Sequence, residues 1–146
     1  MKILVCGGRD YADVKRTKGS PDEEPLETRL KLAQYRYVHD VLNTLVMEYS
    51  TERLLDDNWL PTDITIISGC ARGADSAAID FAAVNFCKLE EYPANWEKHE
   101  RLAGPIRNKQ MLDEGRPDLV VAFPGGRGTA NMVSQALAAG VKVIFA

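Results

Sequence analysis

Three short segments of this chain combine glycine with arginine at spacings suited to holding an anion. Pro124, Gly125, Gly126, Arg127, Gly128 and Thr129 follow the apolar run Leu119–Phe123 and precede an amphipathic helical pattern that begins near Thr129. A strand, a glycine-rich turn and a helix in that order aim backbone N–H groups, and about half a positive charge, at one point. Glycine there lets a phosphate approach where a Cβ would stand in the way. Gly7, Gly8 and Arg9 follow a first apolar run, and Gly69, Arg72, Gly73 and Asp75 follow a second. Arginine supplies forked, charge-assisted donors to phosphate. The competing reading is that the glycines only make tight turns and the arginines are solvated.

Two carboxylates stand in these turns. Asp75 opens a helical pattern, so it is either a first-turn carboxylate favoured by the helix dipole or a group that accepts from a ribose hydroxyl or moves a proton. Asp10 offers the same choice, with a turn-forming role as the structural alternative. Thr129 is placed to cap the last helix, to donate to a phosphate, or both. Trp96 either borders a base or covers the sheet edge. Cys70 lies in a glycine turn without a histidine near it in sequence, which disfavours a nucleophile. His39, His99, Glu90 and Glu91 read as structural or solvated groups.

The elements that must position these residues are legible as alternation. Ile3–Cys6, Ile64–Ile67, Leu119–Phe123 and Val141–Phe145 are nearly continuous in branched and aromatic residues, as strands buried on both faces of a parallel sheet are. Lys88–Tyr92 is more polar and reads as an edge strand. Between them lie helical patterns. Leu30, Ala33, Tyr37, Val38, Val41, Leu45, Val46 and Tyr49 keep helical spacing from Glu27 to Tyr49. Ala74, Ala77, Ala78, Phe81 and Ala82 form a face of mostly small residues. A third helix is predicted from Pro105 to near Gly115. A fourth puts Met132, Val133, Ala136 and Leu137 on one face and ends at Gly140 in a left-handed cap. The pattern predicts an α/β fold with helices on both faces of the sheet and the three glycine turns on one edge, where ligands bind at the switch in strand order.

With 146 residues, 45% hydrophobic and 27% charged, the chain is expected to form a single domain over residues 1–146. The polar, turn-rich stretch at about 11–26 reads as an inserted loop, and Asp56–Asp63 as a short linker. A net charge of −3 counts against broad electrostatic binding to nucleic acid. No apolar run approaches the roughly 18 residues of a membrane span. Cys6, Cys70 and Cys87 are odd in number and contain no CxxC pair, which predicts a reduced, cytoplasmic protein without a disulfide framework or metal site. No cofactor is expected.

Five segments in order, Lys2–Tyr11, Gly69–Asp75, Tyr92–Trp96, Ala103–Asn108 with Met111, and Ala122–Thr129, resemble the YspA-type, cpYpsA-related family of the SLOG superfamily, a family associated with mobile elements and phages. The LOG phosphoribohydrolases and the DNA-processing protein DprA are related to it. The resemblance implies a Rossmann-like three-layer sandwich whose five-stranded, mainly parallel sheet is ordered 3-2-1-4-5. It also implies a site for nucleotides or their derivatives, and a homodimer. In the LOG enzymes the Pro-Gly-Gly-x-Gly-Thr motif continues to a catalytic glutamate that works with an arginine. Here the phosphate-binding part is present, the glutamate position is Met132, and Arg107 corresponds to the arginine. A thioether cannot do a carboxylate's work on a developing oxocarbenium ion.

The expected function is binding of a nucleotide or nucleotide-derived ligand, as a sensor or sequestering module, through Gly7, Gly8, Arg9, Gly69, Arg72, Gly73, Asp75, Trp96, Arg107 and Pro124–Thr129. The alternatives are a LOG-like N-glycosidase with a displaced carboxylate, using Arg107 with Asp75 or Asp10, and a DprA-like single-strand binder. The acidic balance and the missing aromatic platform count against the last.

Overall fold

The computed structural model describes residues 1–14, 26–53 and 63–146. Most of the polar 11–26 stretch and all but Asp63 of the 56–63 linker lie outside the described residues. Five strands, β1 (Lys2–Cys6), β2 (Thr65–Ser68), β3 (Lys88–Glu91), β4 (Leu119–Ala122) and β5 (Lys142–Phe145), form one sheet. They are parallel throughout and ordered β3-β2-β1-β4-β5. The switch in strand order therefore lies between β1 and β4, paired from Ile3↔Leu119 to Cys6↔Ala122.

Period-two alternation splits the core into two layers. Ile3, Val5, Ile66, Leu119 and Val121 point to one face, where they pack with Val38 and Leu42 of α1 (Leu26–Arg53) and with Ala77, Ala78 and Phe81 of α2 (Ala74–Val84). Leu4, Cys6, Ile67, Val120 and Ala122 point to the other, against Met111 and Leu112 of α4 (Ala103–Asp113) and Met132 and Ala136 of α5 (Arg127–Ala138). The short α3 (Trp96–His99) and a 3-10 turn (Glu100–Leu102) lead into α4. Ala74, Ala77, Ala78 and Ala82 of α2 are buried, as their spacing predicts. Gly140 closes α5 with φ +71°, the expected left-handed cap.

Five expectations need correction. The apolar run 141–145 is an edge strand rather than a buried one, with Phe145 70% exposed. Leu30 and Ala33 of the long helix are exposed, not core. With 28 residues α1 is roughly 42 Å long, whereas the five residues of β1 span about 17 Å; its first turns overshoot the sheet. Leu137 of α5 is likewise exposed. Pro105 sits at the third position of α4 instead of the first, and α5 begins two residues before Thr129 with Gly126 as its N-cap, so Thr129 is not the cap.

Candidate functional site

The three glycine turns meet at the C-terminal edge of the sheet, and backbone contacts lock them together. Gly8 N–H donates to the Pro124 carbonyl at 2.9 Å, tying the turn after β1 to the turn after β4. The turn after β2 packs under the first. Gly73 has φ +80°, and a Cβ on it would run into the carbonyl oxygens of Gly8, Arg9 and Tyr11. Here glycine is required twice over, by conformation and by space. The residues that follow Arg9 are held in the same way. Tyr11 stacks on Phe123 at 5.8 Å between ring centroids, and buried Asp13 takes an ion pair from Arg72 at 3.3 Å. Asp10, on the exposed side, lies 3.7 Å from the same guanidinium.

Above these turns lies a cleft of about 640 Å³. Its floor is the end of β1 and the turn that follows it, with Val5, Cys6, Gly7 and Gly8. One wall is the start of α5, with Gly126, Arg127, Gly128, Thr129 and Asn131; the opposite wall is α4 and the segment before it, with Trp96, Arg101, Pro105, Arg107, Asn108 and Met111. No side chain caps α5, so the first-turn N–H groups of that helix have no intrahelical or capping partner and face the cleft. Arg9 and Trp96 stand over its rim, the guanidinium carbon 5.1 Å from the ring centroid.

The predicted glycines divide into two groups. Added Cβ atoms on Gly7, Gly8, Gly69, Gly73 and Gly125 would press on neighbouring protein atoms, so internal packing accounts for them. At Gly126 and Gly128 a Cβ would meet nothing within 4 Å, and neither has positive φ. Nothing in the fold requires glycine at these two positions, and both line the cleft.

Asp75 and Arg107 form the chemical centre. Asp75 accepts from Ala71 N–H at 3.2 Å, and its Oδ2 lies 3.8 Å from the Arg107 guanidinium, with side chains only 6% and 14% exposed. Arg107 also donates to the Gly69 carbonyl and, from Nε, to Asn108 at 3.1 Å. Burial pushes the Asp75 carboxyl above the ordinary carboxylate range; Arg107 and the backbone N–H groups of Ala71 and Gly69 pull the other way. Nearby Cys6 is pushed up to about 12 by burial and by Asp75, so it is a neutral thiol. Cys70 is also raised, by burial first and then by Glu91, which leaves it a weak nucleophile at neutral pH.

Residues 1–99 match the YspA, cpYpsA-related SLOG family. The chain belongs to that family. The Gene 61 protein of Mycobacterium phage D29 is 37% identical over 91 residues, spanning 58% of this chain and 72% of that protein. No solved structure matches the chain at a significant level.

Within this SLOG domain, the position that the LOG enzymes fill with glutamate is not at the cleft. Met132 is 0% exposed and packs into the core beneath α5 with Leu4, Val120 and Ala122. Asn131, one residue earlier, is the one that lines the cleft. It belongs to a row of amides absent from the sequence-based site. Asn108 Nδ2 donates to Asn131 Oδ1 at 3.0 Å and to the Gly128 carbonyl at 3.1 Å. Gln135 Nε2 donates to Asn131 Oδ1 at 2.8 Å and to the Pro105 carbonyl at 3.1 Å. This row sets the spacing of α4 and α5, the two walls. Asn108 is only 3% exposed, and a polar side chain so buried needs these partners.

Of the other predicted residues, Arg72 and Gly69 open on a smaller adjoining recess, while Asp10 and Pro124 are exposed outside the cleft. Glu90 is paired with Lys2 at 2.5 Å and is not simply solvated. No group of three or more potential metal ligands occurs among the described residues, and no helix there is long and apolar enough to cross a membrane.

Proposed function

We propose that this SLOG domain binds a phosphorylated, nucleotide-derived ligand in the cleft between α4 and α5, as a sensor or sequestering module. The observation that carries the reading is the pair of glycines, Gly126 and Gly128, that the fold does not need and that line the uncapped start of α5. A phosphate seated there takes up the free N–H groups at a distance a Cβ would prevent. Charge favours the same ligand. Arg9, Arg101, Arg107 and Arg127 line the cleft against one carboxylate, Asp75, in a chain whose net charge is −3. Asp75, beside Arg107, is placed to accept from a sugar hydroxyl, and the half-exposed face of Trp96 is available to a base. Calorimetric titration with nucleoside phosphates tests this: binding that is weakened tenfold or more by Gly126→Ala supports it, and no heat with any of them refutes it.

One observation favours a second reading, a LOG-like N-glycosidase. Asp75 is a buried carboxyl with an upward-shifted pKa beside an arginine at the cleft, the environment of a general acid. Release of free base from nucleoside monophosphates, abolished by Asp75→Asn, would establish it.

A further inference from the structure

A second, smaller recess of about 280 Å³ opens beside the main cleft. Arg9, Arg72 and Arg107 line it, together with Cys70 and Ala94, and no carboxylate does. Arg9, Ala71, Trp96 and Arg107 line both spaces. Arg9, lying over Trp96, is thus among the residues at the boundary between them. Gly126, Gly128 and Thr129 belong only to the main cleft, and Arg72 and Cys70 only to the smaller recess. Arg9 has no ion pair within 4.0 Å among the described residues, and its charge reaches Asp75 only at longer range. Arg107 is answered by Asp75, and Arg72 by Asp13 and Asp10.

Two anion-attracting centres thus adjoin, with the half-exposed indole of Trp96 lining both spaces. One is built from backbone N–H groups and the other from guanidinium groups. A single phosphate on α5 leaves Arg9, alone of the three arginines, without a close counter-charge, beside two further guanidinium groups of the same sign. We infer that the two recesses form one bipartite site for a nucleotide with two separated anionic groups, a nucleoside bisphosphate or a dinucleotide. One phosphate rests on α5 and the other among Arg9, Arg72 and Arg107, with Trp96 against the moiety between them. This rests on the reading of the main cleft given above.

Calorimetric titrations with three sets of probes test it: the 5′-monophosphates of the four ribonucleosides, their 3′,5′-bisphosphates, and 5′-phosphorylated dinucleotides. For at least one base, a bisphosphate or dinucleotide is expected to bind at least about tenfold more tightly than the monophosphate, the gain of one further charge-assisted contact. Ala94→Glu, which adds a carboxylate to the smaller recess, should bring that ratio close to one, and the uncharged Ala94→Gln should largely preserve it. Monophosphates binding as tightly as the doubly charged probes, or an advantage unchanged in Ala94→Glu, would overturn the bipartite site and leave the main cleft standing. Absence of binding by every probe would overturn both.

Discussion

The Asp75 carboxylate and the Arg107 guanidinium lie 3.8 Å apart at the base of the cleft, each nearly enclosed by protein. Burial outweighs the arginine in setting the state of Asp75, so its carboxyl holds its proton more firmly folded than unfolded. A carboxyl raised in this way stabilises the fold below its unfolded pKa of about 3.9. That contribution is lost as pH rises through the higher folded value, because the unfolded chain then binds fewer protons. Above that folded value the ionised group is a cost. Asp75→Asn is expected to melt at the same temperature as the parent, or higher, at pH 7, with the difference closing toward pH 4. Differential scanning calorimetry across that range checks it; a variant much less stable than the parent at pH 7 would show that the ion pair outweighs desolvation.

Gly128 stands in the first turn of α5 with open space where its Cβ would be. Alanine in a helix is favoured over glycine by about 0.5–1 kcal/mol. Gly128→Ala should therefore raise stability by an amount of that order while weakening phosphate binding. Chemical denaturation and calorimetry on one preparation read both effects.

Gly73 presents the opposite case. Its positive φ and the three carbonyl oxygens against it leave no place for a methyl group. Gly73→Ala is expected to cost roughly 2–4 kcal/mol, from backbone strain and overpacking together. Urea denaturation measures this, and a loss under about 0.5 kcal/mol would mean that the first and second turns can separate cheaply.

Restoring the LOG glutamate should fail for a physical reason. Met132 faces the sheet, so Met132→Glu puts a carboxylate into an apolar layer with no partner. The expected result is destabilisation of several kcal/mol, or a carboxyl kept neutral, without release of base from nucleoside monophosphates. A well-folded variant that gains hydrolysis would show that α5 can turn its face to the cleft.

Much of this architecture was legible in the residues because burial and turn chemistry agree. Apolar runs ending in glycine placed the strand ends, and the spaced alanines placed α2. Edges were harder. The run from Val141 to Phe145 has the composition of a buried strand, yet β5 has a neighbour on one side only, and composition does not say how many neighbours a strand has. Sequence also gave the site glycines equal weight, although five are held by packing and two are not, because that distinction depends on what lies opposite each Cα. The amide row was hidden for a related reason. Asn108 and Asn131 are 23 residues apart, carry no charge and follow no period; their pairing exists only once α4 and α5 lie side by side.

The hydrogen bond from Gly8 to Pro124 has a consequence for biosynthesis. The cleft floor at the end of β1 and the α5 wall that follows β4 come from strands adjacent in space but more than a hundred residues apart in the chain. A nascent polypeptide can pair β1 with β2 long before β4 has left the ribosome, yet its cleft lacks the α5 wall until residues beyond 119 are free to insert beside β1. The cleft therefore arrives late and all at once, and on the function proposed above an interrupted translation product binds no ligand.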